Sequence, residues 1–443
     1  MTMAEIRAFR GLRYSQALVG DLGDVISQPF DVISPEEQDR LYALSEHNVV
    51  RLELGRDPGD DSPKDRYALA GDLYRRWRRE GVLVQEQAAA IYLTRHEFPD
   101  RTGPAVRQEL TVALRLEPLD GGSIKPHEYT RRGPKEDRLK LMVATQANIS
   151  PVMLLYEDPR SIGPVLEEAI QGFQPIEART ATGERFSTWP IVNPMVINLV
   201  REALAPDPLY IADGHHRIET ALAYRDQVLA GKAEQQPDRA CGFIMATLVE
   251  FNDPGLRNLP YHRVLTGLGA EAMTRLRQRI ETVCVEERHD MTGAPPREIA
   301  NAALDSLDET DALFEVWGLA PGVRSTLRLR SPETVEAIAG DTHSRAWAGL
   351  ASIIFREAVL KPALGVDEAE AEERGWLIFA QDAEEAVQRV SEGRGQLAFM
   401  SKSVPMDTLR FVSDRGERLP PKSTYFHPKL ATGLVINPLD GVV

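Results

Sequence analysis

The stretch YIADGHHRIETALAYR, residues 210–225, determines the fold expected at the centre of this chain. Its apolar beginning predicts a short strand, and Gly214 allows a tight turn directly after that strand. Apolar or small side chains then follow helical spacing at Ile218, Ala221, Leu222 and Val228. Residues 242–249, GFIMATLV, predict the next strand. The order strand, turn, helix, strand is βαβ-like and favours an α/β or α+β sheet.

The acidic composition limits the ligands to be expected. The 443 residues carry a formal net charge of −15, and 42 % of them are hydrophobic, which predicts a sizeable core. Broad nucleic-acid binding is not expected, because it requires many Lys and Arg side chains that neutralise phosphates. A small basic pocket within an acidic body would still concentrate an anionic ligand.

The cysteines and the apolar segments indicate the compartment. Cys241 and Cys284 are the two cysteines, and each lies among apolar residues, which argues against a disulfide scaffold and favours a reducing compartment. No stretch approaches the roughly 18 uninterrupted apolar residues of a membrane span. The first residues contain no apolar segment of signal-peptide length. We therefore expect a cytoplasmic protein without a membrane partner.

Local signals outside the centre predict further elements. Ser34 can cap a helix, with Pro35 at its first position and Glu37 completing a capping box, so a helix is predicted to about Ser45. Alternation over Val49 to Leu54 predicts a strand. Residues 63–80 predict an amphipathic helix.

Two regions are expected along the chain. Residues 1–265 form a core that contains the motif Asp213 to Arg217, and residues 266–443 form a C-terminal α+β region. We expect the C-terminal region to fold back on the core, so that the loop at Lys422 closes the pocket around Arg217. The sequence leaves the oligomeric state open, a homodimer included.

The motif Asp213-Gly214-His215-His216-Arg217 predicts an anion site. The N-terminus of a helix presents backbone N–H groups and the positive end of its dipole. Basic side chains are unfavourable there unless an anion is nearby, so a phosphate ligand would explain them. Arg217 could clamp it with two hydrogen bonds. Asp213 could cap the helix, or hold Mg²⁺ or a hydroxyl.

Two other interpretations of the motif stay open. In the first, Asp213 only caps the helix, and His215 and His216 form hydrogen bonds within the fold. In the second, the two histidines bind zinc. Zinc is less favoured, because adjacent side chains on a helix diverge by about 100° and rarely share one ion.

Other polar clusters could converge on the same place. Asp31, in the turn Gln28-Pro29-Phe30-Asp31, adds a carboxylate. Donor-rich groups that follow or precede predicted elements include His127, Arg138, His262, Arg263, Lys422, Ser423 and Thr424. The Lys422-Ser423 pair lacks the preceding glycine pattern of a P-loop, yet Lys, Ser and Thr can still bind phosphate. No Gly-x-Ser-x-Gly elbow or Rossmann fingerprint is present.

These motifs together resemble a widespread prokaryotic family, the domain of unknown function DUF1015. The resemblance runs from about Gly11 to Val435, nearly the whole chain. It is carried by Pro29–Ile33, His47–Leu52, His127-Glu128, Lys135–Arg138, Ala212–Arg217, His262-Arg263 and Pro421–Phe426. The departures are small: Phe30 and Ile218 stand where tyrosine is usual, and Tyr261 where threonine is common.

A looser similarity concerns function. Gly-x-His-Arg between a strand and a helix resembles the nucleotide-phosphate motif of the ParB/sulfiredoxin-like superfamily, which includes an ADP-dependent kinase acting on free serine. The resemblance implies a ParB/sulfiredoxin-like nucleotide-binding core with large insertions, in which Gly214, His216 and Arg217 bind phosphate. It also implies ATP or ADP, with Mg²⁺. Sulfiredoxin's catalytic cysteine has no counterpart beside Gly214, so its redox activity is not implied.

The leading hypothesis is a phosphotransferase that uses a nucleotide to phosphorylate a small hydroxyl compound, such as a free amino acid. His215, His216, Arg217 and the helix start would hold phosphates. His127, Arg138, His262 and Lys422 would complete a cationic pocket. The catalytic carboxylate would be Asp31, Glu53 or Asp213, chosen on chemistry alone. Two alternatives are a nucleotide-binding regulatory protein without turnover and a metal-dependent phosphohydrolase using Asp213, His215 and His216.

Overall fold

The computed structural model describes residues 3–59, 62–101, 103–130, 132–230 and 236–443. The chain folds into two compact units: one comprises Met1–Pro126, Thr130–Leu256 and Pro428–Val443, and the other comprises His127–Tyr129 and Arg257–His427. Both units combine helices with sheets, so the fold is mixed α/β of the α+β kind. No helix in the described part of the chain is long and apolar enough to cross a membrane.

The strands, in chain order, are β1 (Ile6–Arg7), β2 (Leu12–Tyr14), β3 (Leu83–Gln85), β4 (Ile91–Asp100), β5 (Gly103–Arg115), β6 (Ile124–Lys125), β7 (Ala147–Asn148), β8 (Val152–Tyr156), β9 (Ile176–Arg179), β10 (Arg185–Ile191), β11 (Leu209–Asp213), β12 (Phe243–Glu250), β13 (Arg257–Leu259), β14 (His262–Leu265), β15 (Cys284–Asp290), β16 (Phe314–Ala320), β17 (Val323–Leu329), β18 (Leu377–Ala380), β19 (Leu397–Met400), β20 (Tyr425–His427) and β21 (Asn437–Pro438).

The α-helices are α1 (Gln16–Val19), α2 (Pro35–Leu44), α3 (Val50–Glu53), α4 (Arg66–Arg79), α5 (Arg132–Thr145), α6 (Ile162–Ile170), α7 (Pro194–Leu204), α8 (His215–Leu229), α9 (Ala270–Val283), α10 (Pro296–Glu309), α11 (Glu333–Ala339), α12 (Arg345–Ala348), α13 (Ala351–Ile354), α14 (Lys361–Leu364), α15 (Glu368–Glu373), α16 (Ala383–Ser391) and α17 (Met406–Asp414). Short 3-10 helices cover Leu22–Asp24, Phe30–Val32 and Ala240–Gly242, and a π-helical turn covers Phe355–Leu360.

A large mixed sheet organises the first unit. Its strand order is β6-β11-β8-β12-β5-β4-β10-β9, with β1 paired to β5. Strand β8 runs antiparallel to β11 and parallel to β12. The predicted sequence of strand, turn, helix and strand is confirmed as β11, Gly214, α8 and β12. The two strands are antiparallel and separated by β8, however, so they do not form a parallel βαβ unit.

Helix α8 is held against this sheet by one apolar face. Ile218, Ala221 and Tyr224 recur at helical spacing and are buried in the same core cluster as β8 and β11. All five residues of β8 are buried, so both faces of this central strand are covered. The burial anchors α8, so the position of its first turn relative to the sheet is determined by core packing.

Two predictions near the N-terminus have opposite outcomes. The helix after Ser34 is confirmed as α2, and the Ser34 hydroxyl accepts a hydrogen bond from the Glu37 N–H at 3.2 Å. The strand predicted over Val49 to Leu54 is wrong, because α3 begins at Val50. The buried Asn48 side chain explains the helical turn: its oxygen accepts from the Val50 N–H, and its amide donates to two carbonyls of the preceding segment. Tertiary contacts therefore override the alternating pattern.

The second unit contains its own sheet, of order β15-β17-β16-β19-β14-β18, in which the paired strands are antiparallel. Its core packs α9 and the helical run from Ala351 to Leu364 against this sheet. Strands β13 and β20 form a separate antiparallel pair. Residues 257–265, which the sequence grouped with the first region, belong to this unit.

Candidate functional site

The turn after β11 requires glycine. Gly214 has φ of 94° and ψ of 25°, a left-handed conformation that side chains disfavour. A Cβ atom on Gly214 would also lie 2.7 Å from Cγ1 of Val152 on the neighbouring strand β8. Both the conformation and the space therefore select glycine here, and the turn brings the start of α8 close to the sheet.

The first turn of α8 is electrostatically unusual. Its N-cap is Gly214, which has no side chain to cap the helix, and its first turn contains no acidic residue. The first N–H groups of a helix have no carbonyl partner within the helix and form the positive end of its dipole. His215 is buried and His216 is half-buried. The N-cap residue itself gives this turn no side-chain hydrogen bond, an arrangement that would suit an anion; that an anion binds here stays a prediction.

Asp213 is the central carboxylate of the site. One of its oxygens accepts a hydrogen bond from Nη2 of Arg217, and the other accepts from Nζ of Lys429. Burial raises the pKa of Asp213, but the charges of Lys429 and Arg217 outweigh burial and hold that pKa well below its usual value. Asp213 therefore stays ionised, and two cations share one carboxylate at the positive end of α8.

Arg217 is held in place from two sides. Besides its ion pair with Asp213, its Nη1 donates to the backbone carbonyl of Pro151. Its side chain is 10 % exposed. Arg217 is thus oriented by protein groups, and a ligand would meet a guanidinium whose position is already set.

A second buried cluster contains two more predicted residues, Glu53 and Arg138. Arg138 donates from Nη1 to the Glu53 carbonyl at 2.9 Å, and the same nitrogen lies 3.4 Å from Oε1 of the Glu53 carboxylate. The Ser150 hydroxyl donates to that Oε1 at 3.0 Å. Arg138 also pairs with Asp137 and stacks over the Phe30 ring, 3.9 Å from its centroid. The structure therefore assembles a buried carboxylate and an arginine from α3 and α5.

Adjacent residues connect the two clusters. Ser150 donates to Glu53, while Pro151 accepts from Arg217. The dipeptide leads directly into β8, beside which Gly214 packs. A single short segment thus positions the carboxylate of one cluster and the guanidinium of the other.

Asp31, the remaining predicted residue of the first unit, and Glu219, which was not predicted, lie outside these two clusters. Asp31 is exposed on the 3-10 turn Phe30–Val32. Glu219, one turn after His216, binds Lys135 at 2.8 Å and the Thr130 hydroxyl at 2.8 Å. This contact joins α8 to α5, the helix that carries Arg138.

Several predicted residues belong to the second unit. His127 is fully buried, and its Nε2 lies 3.0 Å from the Thr424 hydroxyl, so these two are brought together. The Ser423 hydroxyl donates to the Pro420 carbonyl at 2.8 Å. Lys422 has a positive φ of 64° and its Nζ lies 5.0 Å from the Tyr261 ring centroid. That these residues complete the pocket at Arg217 stays a prediction.

His262 and Arg263 are buried on β14 in the same unit. Burial lowers the pKa of His262 to about 4, with Asp382 opposing the shift and Arg263 adding to it. Arg263 pairs with the buried Glu368. His262 is therefore uncharged near neutral pH, which argues against its predicted part in a cationic pocket.

Lys429 was missed by sequence reasoning. Its segment Pro428-Lys429-Leu430 lies in the C-terminal tail of the sequence, yet it belongs to the first unit and its side chain is 5 % exposed. The available signal was a single lysine among Pro428, Leu430 and Ala431. A lysine that is buried with an apolar segment is almost always paired, so this position predicts a carboxylate partner.

Among the described residues, no group of three or more His, Cys, Asp or Glu side chains is placed to hold a metal ion. Both oxygens of Asp213 accept hydrogen bonds from cations. A magnesium ion would have to displace Lys429 or Arg217 to bind Asp213, so the arrangement favours Asp213 as a counter-ion over its predicted role as a metal ligand.

Comparisons with known proteins give one family and several distant structures. A family model described as a protein of unknown function, DUF1015, matches residues 6–336. No curated protein matches the chain. Free serine kinase in complex with AMP is 15 % identical, with a TM-score of 0.36 over 76 % of this chain and 95 % of that one. A free serine kinase mutant in complex with ADP is 13 % identical, with a TM-score of 0.37 over the same shares. SbnI from Staphylococcus aureus with a C-terminal truncation is 11 % identical, with a TM-score of 0.35 over 74 % of this chain and 86 % of that one.

Proposed function

This chain belongs to the DUF1015 family of proteins of unknown function, and on that premise we propose that it is a nucleotide-dependent phosphotransferase. The acceptor is a small hydroxyl compound, such as a free amino acid. The nucleotide is ATP or ADP, accompanied by Mg²⁺.

The observation that supports this proposal is the charge arrangement at the start of α8. Arg217 and Lys429 share the single carboxylate of Asp213, beside a helix N-terminus without a side-chain cap. The net charge of these three side chains is positive, and the ion pairs with Asp213 orient both cations before any ligand binds. Phosphoryl transfer depends mainly on such positioned positive charge, because the transition state spreads negative charge over the phosphoryl oxygens.

We assign the phosphates to the first turn of α8, with Gly214 allowing close backbone approach and His215, His216 and Arg217 beside them. Lys429 supplies a further charge. Asp213 keeps both cations in place, and its lowered pKa makes it a poor proton acceptor. Mg²⁺ usually keeps several waters and binds through one or two carboxylates plus substrate phosphates, so it would enter with the nucleotide.

We assign the general base to Glu53. It is 3 % exposed, and Ser150 and Arg138 hold its carboxylate in one orientation. In this role Glu53 accepts the proton of the acceptor hydroxyl as that oxygen attacks the terminal phosphorus. The bond between the phosphorus and the nucleotide's bridging oxygen breaks, and the shortened nucleotide leaves with that electron pair. Asp31, which is exposed, is the less suitable base.

Nucleotide binding is the first test. Thermal unfolding of the whole protein is followed with ATP, ADP and AMP, each with and without Mg²⁺, for wild type, Arg217→Ala and Arg225→Ala. A ligand that binds the folded state raises the melting temperature. Arg225 is the matched control, because it lies on α8 but contacts Asp226 and the Leu116 carbonyl. We expect a shift in wild type and in Arg225→Ala that Arg217→Ala loses.

Turnover is the second test. Nucleotide consumption is measured with a panel of amino acids and other small hydroxyl compounds. Consumption that depends on one added hydroxyl compound supports the phosphotransferase. Tight nucleotide binding without turnover on any compound would leave the regulatory alternative, and no shift with any nucleotide would contradict both.

A further inference from the structure

The second unit contains a partly open cavity of about 390 Å³ that the proposed phosphotransferase does not use. This volume lies within the range of about 300–1,000 Å³ that is usual for small-molecule sites. The charged and hydroxyl groups of its wall include Arg263, Arg345, Lys402, Ser352, Ser401 and Ser423. Apolar side chains such as Leu313, Leu350 and Val404 form the rest of the wall.

Arg263 is the buried cation of this cavity. The residue is 2 % exposed, and its guanidinium lies 5.5 Å from the ring centroids of both Phe355 and Phe379. Its Nε donates to Glu368, and its Nη1 donates to the Tyr261 carbonyl at 2.9 Å. Its Nη2 has no hydrogen-bond partner in the described part of the chain. A guanidinium is always charged, so a buried nitrogen with donors to spare calls for an acceptor.

Ser352 provides a second unsatisfied group in the same wall. It is 6 % exposed, and its hydroxyl has no hydrogen-bond partner among the described residues. Ser352 and Phe355 are three positions apart on one helical run, so they share a face. Phe355 lies beside the Arg263 guanidinium, and Ser352 and Arg263 both line the cavity, so we place the two unsatisfied groups on the same side of it.

The other charges of the wall also favour an anion. Arg345 and Lys402 line the wall together with one acidic residue, Asp311, whose carboxylate pairs with Arg328. Arg345 pairs with Glu336 outside the wall. Nζ of Lys402 donates to the Thr310 carbonyl and is exposed. The cavity thus has a buried guanidinium, a buried hydroxyl and basic residues in its wall.

We propose that this cavity binds a small organic anion, whose carboxylate or phosphate oxygen accepts hydrogen bonds from Arg263 Nη2 and the Ser352 hydroxyl. Only the Nη2 nitrogen of Arg263 lacks a partner among the described residues, so it contacts a single oxygen of the ligand. A carboxylate and a phosphate can each supply that oxygen. The apolar wall holds the carbon skeleton. This site lies within the second unit and does not depend on the function proposed for Asp213 and Arg217.

Calorimetric titration of the full chain tests this site. The probes are inorganic phosphate, 3-phosphoglycerate and citrate, with sodium chloride at matched ionic strength as the blank. Ser352→Leu fills the cavity, Lys402→Ala removes a charge of its wall, and Thr282→Leu places the same leucine on the exposed surface of α9. We expect at least one probe to bind wild type and Thr282→Leu equally. Loss of a hydrogen bond to a charged group should weaken that probe about tenfold in Ser352→Leu.

The outcomes separate the alternatives. The proposal is overturned if none of the three probes binds wild type, or if Ser352→Leu binds as wild type does. Should Ser352→Leu fail to fold by circular dichroism, Lys402→Ala decides, and unchanged affinity in that variant overturns the proposal. Binding that disappears in Arg217→Ala would place the probe at α8 instead and would also overturn it. Phosphate binding alone identifies a phosphate site, and citrate binding alone a carboxylate site.

Discussion

Nζ of Lys429 binds a carboxylate oxygen of Asp213, which lies 216 positions earlier in the chain. This ion pair ties the C-terminal segment of the first unit to the end of β11. It also places a second positive charge beside the start of α8, so one contact serves both stability and the proposed binding of phosphate.

Lys429→Met should destabilise the first unit, because it removes a charged hydrogen bond from the half-buried Asp213. We expect a loss of about 2 kcal/mol in the free energy of unfolding, since Arg217 remains to balance part of the carboxylate charge. The measurement is urea unfolding at pH 7. Lys64→Met is the control, because Lys64 forms an exposed pair with Asp72 and should cost less than about 1 kcal/mol. Equal losses in the two variants would contradict the importance of the Asp213 contact.

Gly214→Ala should be strongly destabilising, because alanine is strained at a φ of 94° and its Cβ would collide with Val152. A cost of about 2 kcal/mol is expected. Gly163→Ala in helix α6 is the matched control: a Cβ there meets open space and the φ is ordinary. That variant should be more stable by up to about 1 kcal/mol. Urea unfolding of the two variants measures both effects, and a neutral Gly214→Ala would show that the turn relaxes.

Glu53→Gln should separate nucleotide binding from chemistry. The amide can still accept from Ser150 but cannot take a proton, so turnover should fall about 10²- to 10⁴-fold while the nucleotide-induced thermal shift remains. Initial rates and thermal shifts measure the two properties. Glu219→Gln is the control, because it changes a half-buried carboxylate on α8 that binds Lys135. That variant should keep both turnover and the nucleotide-induced thermal shift. Full turnover in Glu53→Gln would remove Glu53 as the base.

His262 should make the second unit less stable at low pH. Burial lowers its pKa from 6.5 to about 4, so the unfolded chain takes up a proton before the folded protein does. As the pH falls from 6.5 to 4, wild type should lose about 3 kcal/mol relative to His262→Gln, with no further loss below that range. Denaturant unfolding at several pH values measures this difference. If the difference in unfolding free energy between wild type and His262→Gln stays constant from pH 7 to pH 4, His262 takes up its proton in the folded state as readily as in the unfolded chain.

Much of the local structure follows from short patterns in the chain. Helix α2 begins where Ser34, Pro35 and Glu37 place it, and α8 begins after Gly214, because capping and turn formation depend on a few neighbouring residues. The basic residues after Gly214 also indicated the helix start as the candidate site. Such signals act within one or two turns, so the sequence alone can carry them.

Only the tertiary structure decided which distant groups meet. It inserted β8 between β11 and β12, made a helix of the segment expected as a strand before Leu54, and brought Lys429 to Asp213 and Arg138 to Glu53. The physical reason is that these contacts depend on strand order and on the packing of buried faces. Strand order and packing depend on many segments at once. Hydrophobic periodicity, in contrast, indicates only which face of one segment is buried.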